Sequence, residues 1–170
     1  LGLGPAEVGF VLATGPAVSV LTGILAGRIA DRIGTSIAVV AGLATMTAGA
    51  IGIPVLSAPF GLFGYVAAIA ILTPGYQLFQ AANNAAVMTG IAADERGATS
   101  GLLNLSRNLG FITGASLMGT IFTWSVGAGD MGSASPAAVG TGMQTTFITA
   151  SGMLLAALAL MIASTRRNAA

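Results

Sequence analysis

The chain has 170 residues, 55% hydrophobic and 6% charged, with a formal net charge of +1 and no His or Cys. Soluble domains carry roughly 25% charged residues, so a water-facing surface is excluded and the solvent is lipid; the 25 glycines suit close-packed spanning helices. Thiolate and imidazole metal sites, disulfides and the usual imidazole base are excluded too, no metal or cofactor is expected, and nucleic acid would find no electrostatic footprint.

Residues 1–7 carry no Lys or Arg, which speaks against a signal peptide, and the first residue is Leu1, which reads as entry partway into a longer protein. Five apolar runs follow, measured against the roughly 20 residues that cross about 30 Å of hydrocarbon. The first, 8–26, is uncharged and carries Gly15, Ser19, Gly23 and Gly27 at i+4 spacing, a stripe that lets helix backbones approach closely.

That run leads into Gly27-Arg28-Ile29-Ala30-Asp31-Arg32-Ile33-Gly34, which places three of the chain's eleven charges between two apolar runs. Gly27 suits a close backbone approach and Gly34 a turn, while Asp31 and the two arginines can form salt bridges or face a helix N-terminus. The competing reading is a plain solvated turn.

The second run, 37–56, is uncharged. The third, 60–91, is too long for one upright span and too short for two, so it predicts one long helix kinked at Pro74-Gly75. It carries Tyr76, Gln77, Gln80, Asn83 and Asn84, of which Gln77, Gln80 and Asn84 share a face at i, i+3 and i+7. Amides in hydrocarbon must find partners. They serve either interhelical hydrogen bonds or a substrate cavity.

The fourth run, 98–126, contains Arg107, which lies near mid-depth at about 1.5 Å per residue. An Arg there must be paired, hydrated or snorkelling, with Asn104, Asn108 or an acid outside this chain as partners; a cavity or structural-lock role is expected. Ser106, Gly110 and Gly114 repeat the small-residue stripe, and Trp124 is placed as an interfacial anchor before a Gly/Ser/Ala/Pro-rich external loop at 127–141. The fifth run, 142–164, is uncharged.

Arg28 and Arg32 lie in the first connection, Arg96 in the third, and Arg166 and Arg167 in the tail, while the second and fourth connections hold no Lys or Arg. By the positive-inside rule the arginine-bearing segments face the cytoplasm, which gives five spans, N-out and C-in, with Asp130 outside.

Gly27 to Gly34 resembles the signature loop of the major facilitator superfamily, the one joining the second and third spans and repeated between the eighth and ninth. Thr35 and Ser36 stand where that pattern has two basic residues, as in the second, weaker copy. The resemblance then covers the whole chain, with the five runs as spans eight to twelve, or the last five of a fourteen-span drug:proton antiporter. Arg96-Gly97-Ala98-Thr99-Ser100-Gly101, through Asn104, Arg107, Asn108 and Gly110, resembles the penultimate span of drug-efflux members.

The resemblance implies an all-α membrane protein, an incomplete C-terminal bundle of a major facilitator fold in a bacterial inner membrane. Its partners would be the lipid bilayer, a small-molecule substrate and the missing N-terminal bundle of the same polypeptide. Gly27, Arg28, Asp31, Arg32 and Gly34 would form a gating loop; Tyr76, Gln77, Gln80, Asn84 and Arg107 would line the substrate cavity. The stripes Gly15, Ser19, Gly23 and Ser106, Gly110, Gly114 would slide against the other bundle. The expected activity is proton-coupled efflux by alternating access, not enzymatic chemistry. No run contains a carboxylate, so the titrating group would lie outside the chain, and no Gly-Lys-Ser/Thr loop supports ATP hydrolysis. The competing class is a small membrane scaffold that grips a partner through its Gly/Ser stripes.

Overall fold

The structure is a computed structural model that describes residues 4–127, 132 and 134–167. Asp130, expected on the outer face, lies outside the described residues. The elements are α1 (Pro5–Ile33), α2 (Thr35–Met88), α3 (Arg96–Val126) and α4 (Pro136–Arg167), and four helices among the described residues are long and apolar enough to cross a membrane. In hydrocarbon no water satisfies the backbone, so helices that close their own hydrogen bonds are the expected answer to this composition.

The helices differ in extent from the apolar runs. α1 continues through most of the charged segment to Ile33, so the expected connection over 27–36 shrinks to Gly34. Gly34 has φ 85° and serves both neighbours: its N–H donates to the Ala30 carbonyl at 3.1 Å, and its own carbonyl accepts the Ala38 N–H at 3.0 Å. A residue with a side chain is strained in this left-handed conformation. Gly27, expected at a close backbone approach, has open space where a Cβ would stand.

The second run, and the third as far as Met88, lie in one element, α2, of 54 residues. At about 1.5 Å per residue such a helix would measure roughly 80 Å, far beyond a bilayer core of about 30 Å. The backbone leaves helical geometry at Gly61 (φ 54°, ψ −126°), two residues after Pro59, and not at Pro74-Gly75, where the sequence predicted the kink. Gly61 takes a conformation open essentially to glycine alone.

The arms 35–60 and 62–88 fold onto each other about that point. A Cβ on Gly42 would stand 2.5 Å from the Phe79 nitrogen, on Gly49 2.5 Å from the Leu72 nitrogen, on Gly75 2.5 Å from the Met46 nitrogen, and on Gly52 3.4 Å from the Ala68 Cβ. Nearer the bend, a Cβ on Gly64 would collide with the Leu56 carbonyl. As one number rises the other falls, so the arms run antiparallel. Lipid supplies no hydrophobic drive between helices, and close approach across small residues supplies the dispersion contacts instead.

The structure divides into two compact units, Leu1–Ala86 with Ser151–Ala170, and Val87–Ala150. In the first, Ala30, Ala38, Val39, Leu43 and Ala82 form a buried cluster flanked by Met46, Leu78, Phe79, Leu154, Leu158 and Met161. Thr47, buried on α2 beside this cluster, is satisfied by donating its hydroxyl to the Leu43 carbonyl at 2.7 Å.

In the second unit Gly142 of α4 lies against Phe122 and Val126 of α3. Ser135 begins α4 by accepting the Ala138 N–H at 3.2 Å, with Pro136 in the first helical position. Trp124 is 83% exposed, as a side chain at the edge of a bilayer would be in the bare chain.

Candidate functional site

The polar groups of the 62–88 arm are half-buried, Tyr76, Gln77, Gln80, Asn83 and Asn84 alike. Their hydrogen bonds separate them. The Gln77 amide leaves its own helix, and its Nε2 donates to Ser19 Oγ at 2.7 Å and to the Ser19 carbonyl at 3.2 Å on α1. Gln80 donates from Nε2 to the Tyr76 hydroxyl at 2.7 Å, one turn away on its own helix. Gln80 and Asn84 make further interactions. The shared face read from the i, i+3, i+7 spacing therefore holds one group committed to a neighbouring helix and one amide–phenol pair.

The stripe on α1 meets this same arm. A Cβ on Gly15 would stand 4.0 Å from Ile69 Cγ2, and one on Gly23 3.2 Å from Gln77 Nε2. The sequence placed Gly15, Ser19 and Gly23 against a missing bundle; the structure packs them against this chain's own 62–88 arm. Gly110 and Gly114 of the second stripe have open space at the Cβ position, and Ser106 is exposed.

A cleft of about 230 Å³ opens beside this contact, lined by Thr22, Leu25, Ile29, Thr45, Pro74 and Leu78 among others. Its two hydroxyls turn back into their own helices, Thr22 to the Val18 carbonyl and Thr45 to the Ala41 carbonyl, each at 2.8 Å. Drug-sized ligand sites run to roughly 300–1,000 Å³ with convergent polar groups. This cleft has neither the size nor the donors.

At the end of α1 the charged motif is amphipathic. Ala26 and Ala30 are buried in the helix packing, whereas Arg28, Asp31 and Arg32 are exposed on the other faces of the same turns. Asp31 makes no ion pair among the described residues, so the salt bridges within the motif that the sequence allowed are not formed. Arg107 belongs to the second unit, is half-buried, and donates from Nη1 to Asn104 Oδ1 at 3.3 Å, one of the two amide partners expected for it. It makes at least one further interaction.

Three curated transporters are similar in sequence to this chain. The riboflavin transporter RibZ of Clostridioides difficile is 26% identical over 124 residues, 73% of this chain and 27% of that protein. The multidrug efflux pump LfrA of Mycolicibacterium smegmatis is 28% identical over 123 residues, 72% of this chain and 24% of that protein. The uncharacterised transporter YebQ of Escherichia coli is 29% identical over 118 residues, 69% of this chain and 26% of that protein. This chain is a relative of membrane transporters.

It spans about a quarter of the length of the curated relatives it matches. No family model and no solved structure matches it. With four membrane-capable helices among the described residues and transporter relatives, the chain belongs to an integral membrane protein. Sequence reasoning singled out the polar side chains of the arm but missed the small-residue face opposite them, Gly64, Ala68, Gly75 and Ala82, all buried. The signal was present as a 4-7-7 spacing of Gly and Ala, masked by the large Leu72 and Phe79 that alternate with it.

Proposed function

We propose that this chain is the C-terminal part of a secondary active transporter of the major facilitator type in a bacterial inner membrane. It would export drugs or other small amphipathic molecules by proton-coupled alternating access. The observation that carries the reading is the similarity to three transporters over about 70% of the chain, one of them named a multidrug efflux pump. The half-buried Tyr76–Gln80 pair supports it: an amide and a phenol one turn apart in hydrocarbon present a donor–acceptor patch on an apolar wall, which suits amphipathic ligands. In this reading α2 crosses twice, giving five crossings with the N-terminus outside and the C-terminus inside. In this reading the proton-carrying group lies in the remainder of the polypeptide, because none of the five apolar runs contains a carboxylate.

The test is transport by the complete polypeptide in proteoliposomes. Gln80→Ala removes the partner of the Tyr76 hydroxyl and is expected to raise the apparent KM about three- to tenfold, the equivalent of roughly 0.6–1.4 kcal/mol for one hydrogen bond in a membrane protein. Expression should be spared. Wild-type KM and substrate range in this variant would remove the 62–88 arm from the substrate path.

Asp31→Asn is expected to reduce turnover on the order of fivefold at unchanged substrate binding, the low end of a conformational coupling. The exposed acid has no ion-pair partner among the described residues, so its interactions would be made with the rest of the protein in one conformation. Unchanged turnover would return the motif to a solvated helix end.

A further inference from the structure

α1 and the 62–88 arm touch at two levels, Gly15 on Ile69 and Gly23 on Gln77, with eight residues between the levels on both helices. The pair is therefore parallel and in register. Between the levels each helix carries a proline, Pro16 on α1 and Pro74 on the arm, where one backbone hydrogen bond is lost. Contacts between glycine and alkyl groups are smooth: they hold two helices together but scarcely fix their axial position. Gln77 supplies directional fixing, through its two bonds to Ser19. Gly23 leaves the seat for that amide, since a Cβ there would stand 3.2 Å from Nε2.

We propose that Gln77 is a positioning residue and not a substrate ligand: its amide clamps the 62–88 arm to α1 at Ser19, over the floor left by Gly23, and so sets the axial position at which Tyr76 and Gln80 are presented. The function of the clamp rests on the reading of Tyr76 and Gln80 as substrate groups; its existence as an energetic unit does not.

The experiment uses the complete transporter with Gln77→Ala, Ser19→Ala, their double variant, Gly23→Ala and Ser19→Thr. It reads the unfolding midpoint in detergent and the apparent KM. Gln77→Ala should lower the midpoint by about 2 °C, Ser19→Ala by less because the carbonyl acceptor survives, and the double variant by no more than Gln77→Ala alone. Gly23→Ala should also lower it, against the gain that alanine brings in an open helix. Ser19→Thr, which keeps the hydroxyl, should behave as wild type in both measurements. Both Gln77→Ala and Ser19→Ala should raise KM roughly threefold or less, in the same order as their midpoints.

Strictly additive midpoints, or a Gly23→Ala protein more stable than wild type, would overturn the clamp. So would a KM that responds to Gln77→Ala and ignores Ser19→Ala, since that makes Gln77 a ligand. An unchanged KM in Gln80→Ala removes the substrate reading instead, and leaves the midpoint coupling to decide whether the clamp exists.

Discussion

Gly49→Leu is expected to prevent the two arms of α2 from closing, with a loss on the order of 3 kcal/mol or more, read as a collapse of the unfolding midpoint and of monodisperse yield in detergent. Even a methyl at Gly49 would lie 2.5 Å from the Leu72 nitrogen and 2.6 Å from its Cα and Cβ. Backbone cannot step aside as a flexible side chain can, so the arms must separate. Separation at this level also weakens the Gly42–Phe79 and Gly75–Met46 contacts, because all of them lie along one seam. Gly110→Leu is the control: a Cβ at Gly110 meets nothing within 4 Å, so the fold of these residues should tolerate it. A Gly49→Leu protein with the wild-type midpoint would show that the arms do not pack face to face.

The apolar runs were legible because hydrophobic length is a property of sequence alone: four of the five lie within a helix, and the third, 60–91, continues three residues past the end of α2 at Met88. Their ends were not, for a physical reason. Charge marks where a chain leaves hydrocarbon, whereas helical hydrogen bonding is satisfied equally well in water, so α1 carries Arg28, Asp31 and Arg32 on its exposed faces and stops only at Gly34.

The bend in α2 was misplaced for a related reason. Pro74-Gly75 looked like the stronger breaker, yet a proline within a packed helix costs one hydrogen bond and can be tolerated, and Gly75 there packs against Met46. Gly61 adopts a backbone conformation that reverses the chain, and only the antiparallel fit of Gly42, Gly49, Gly64 and Gly75 reveals why the reversal falls there. Among the polar residues, spacing identified which side chains share a face but not their partners. That Gln77 bonds Ser19, 58 residues away, while Gln80 bonds Tyr76 on its own helix is information of the tertiary structure.

Whether α2 crosses the bilayer once or twice has an all-or-none signature. The chain contributes no cysteine, so single thiols at the exposed positions Ser36, Ala58 and Asp94 and at the half-buried Ala134 report their side of the membrane without background from these helices. With two crossings by α2, Ser36→Cys and Asp94→Cys lie on one side and Ala58→Cys on the other; with α3 crossing once more, Ala134→Cys joins Ala58→Cys. The arginines fix the sign: Arg28, Arg32 and Arg96 flank Ser36 and Asp94, so an impermeant maleimide on intact cells should label Ala58→Cys and Ala134→Cys and reach the other two only after permeabilisation. A single crossing would place Ser36 and Asp94 on opposite sides and break the hairpin reading. A complete inversion of the pattern would keep the hairpin and overturn the N-out orientation. The antiparallel seam within α2, together with the parallel contact of α1 on the 62–88 arm, favours the first outcome, because three helices meeting in alternating directions are what three successive crossings produce.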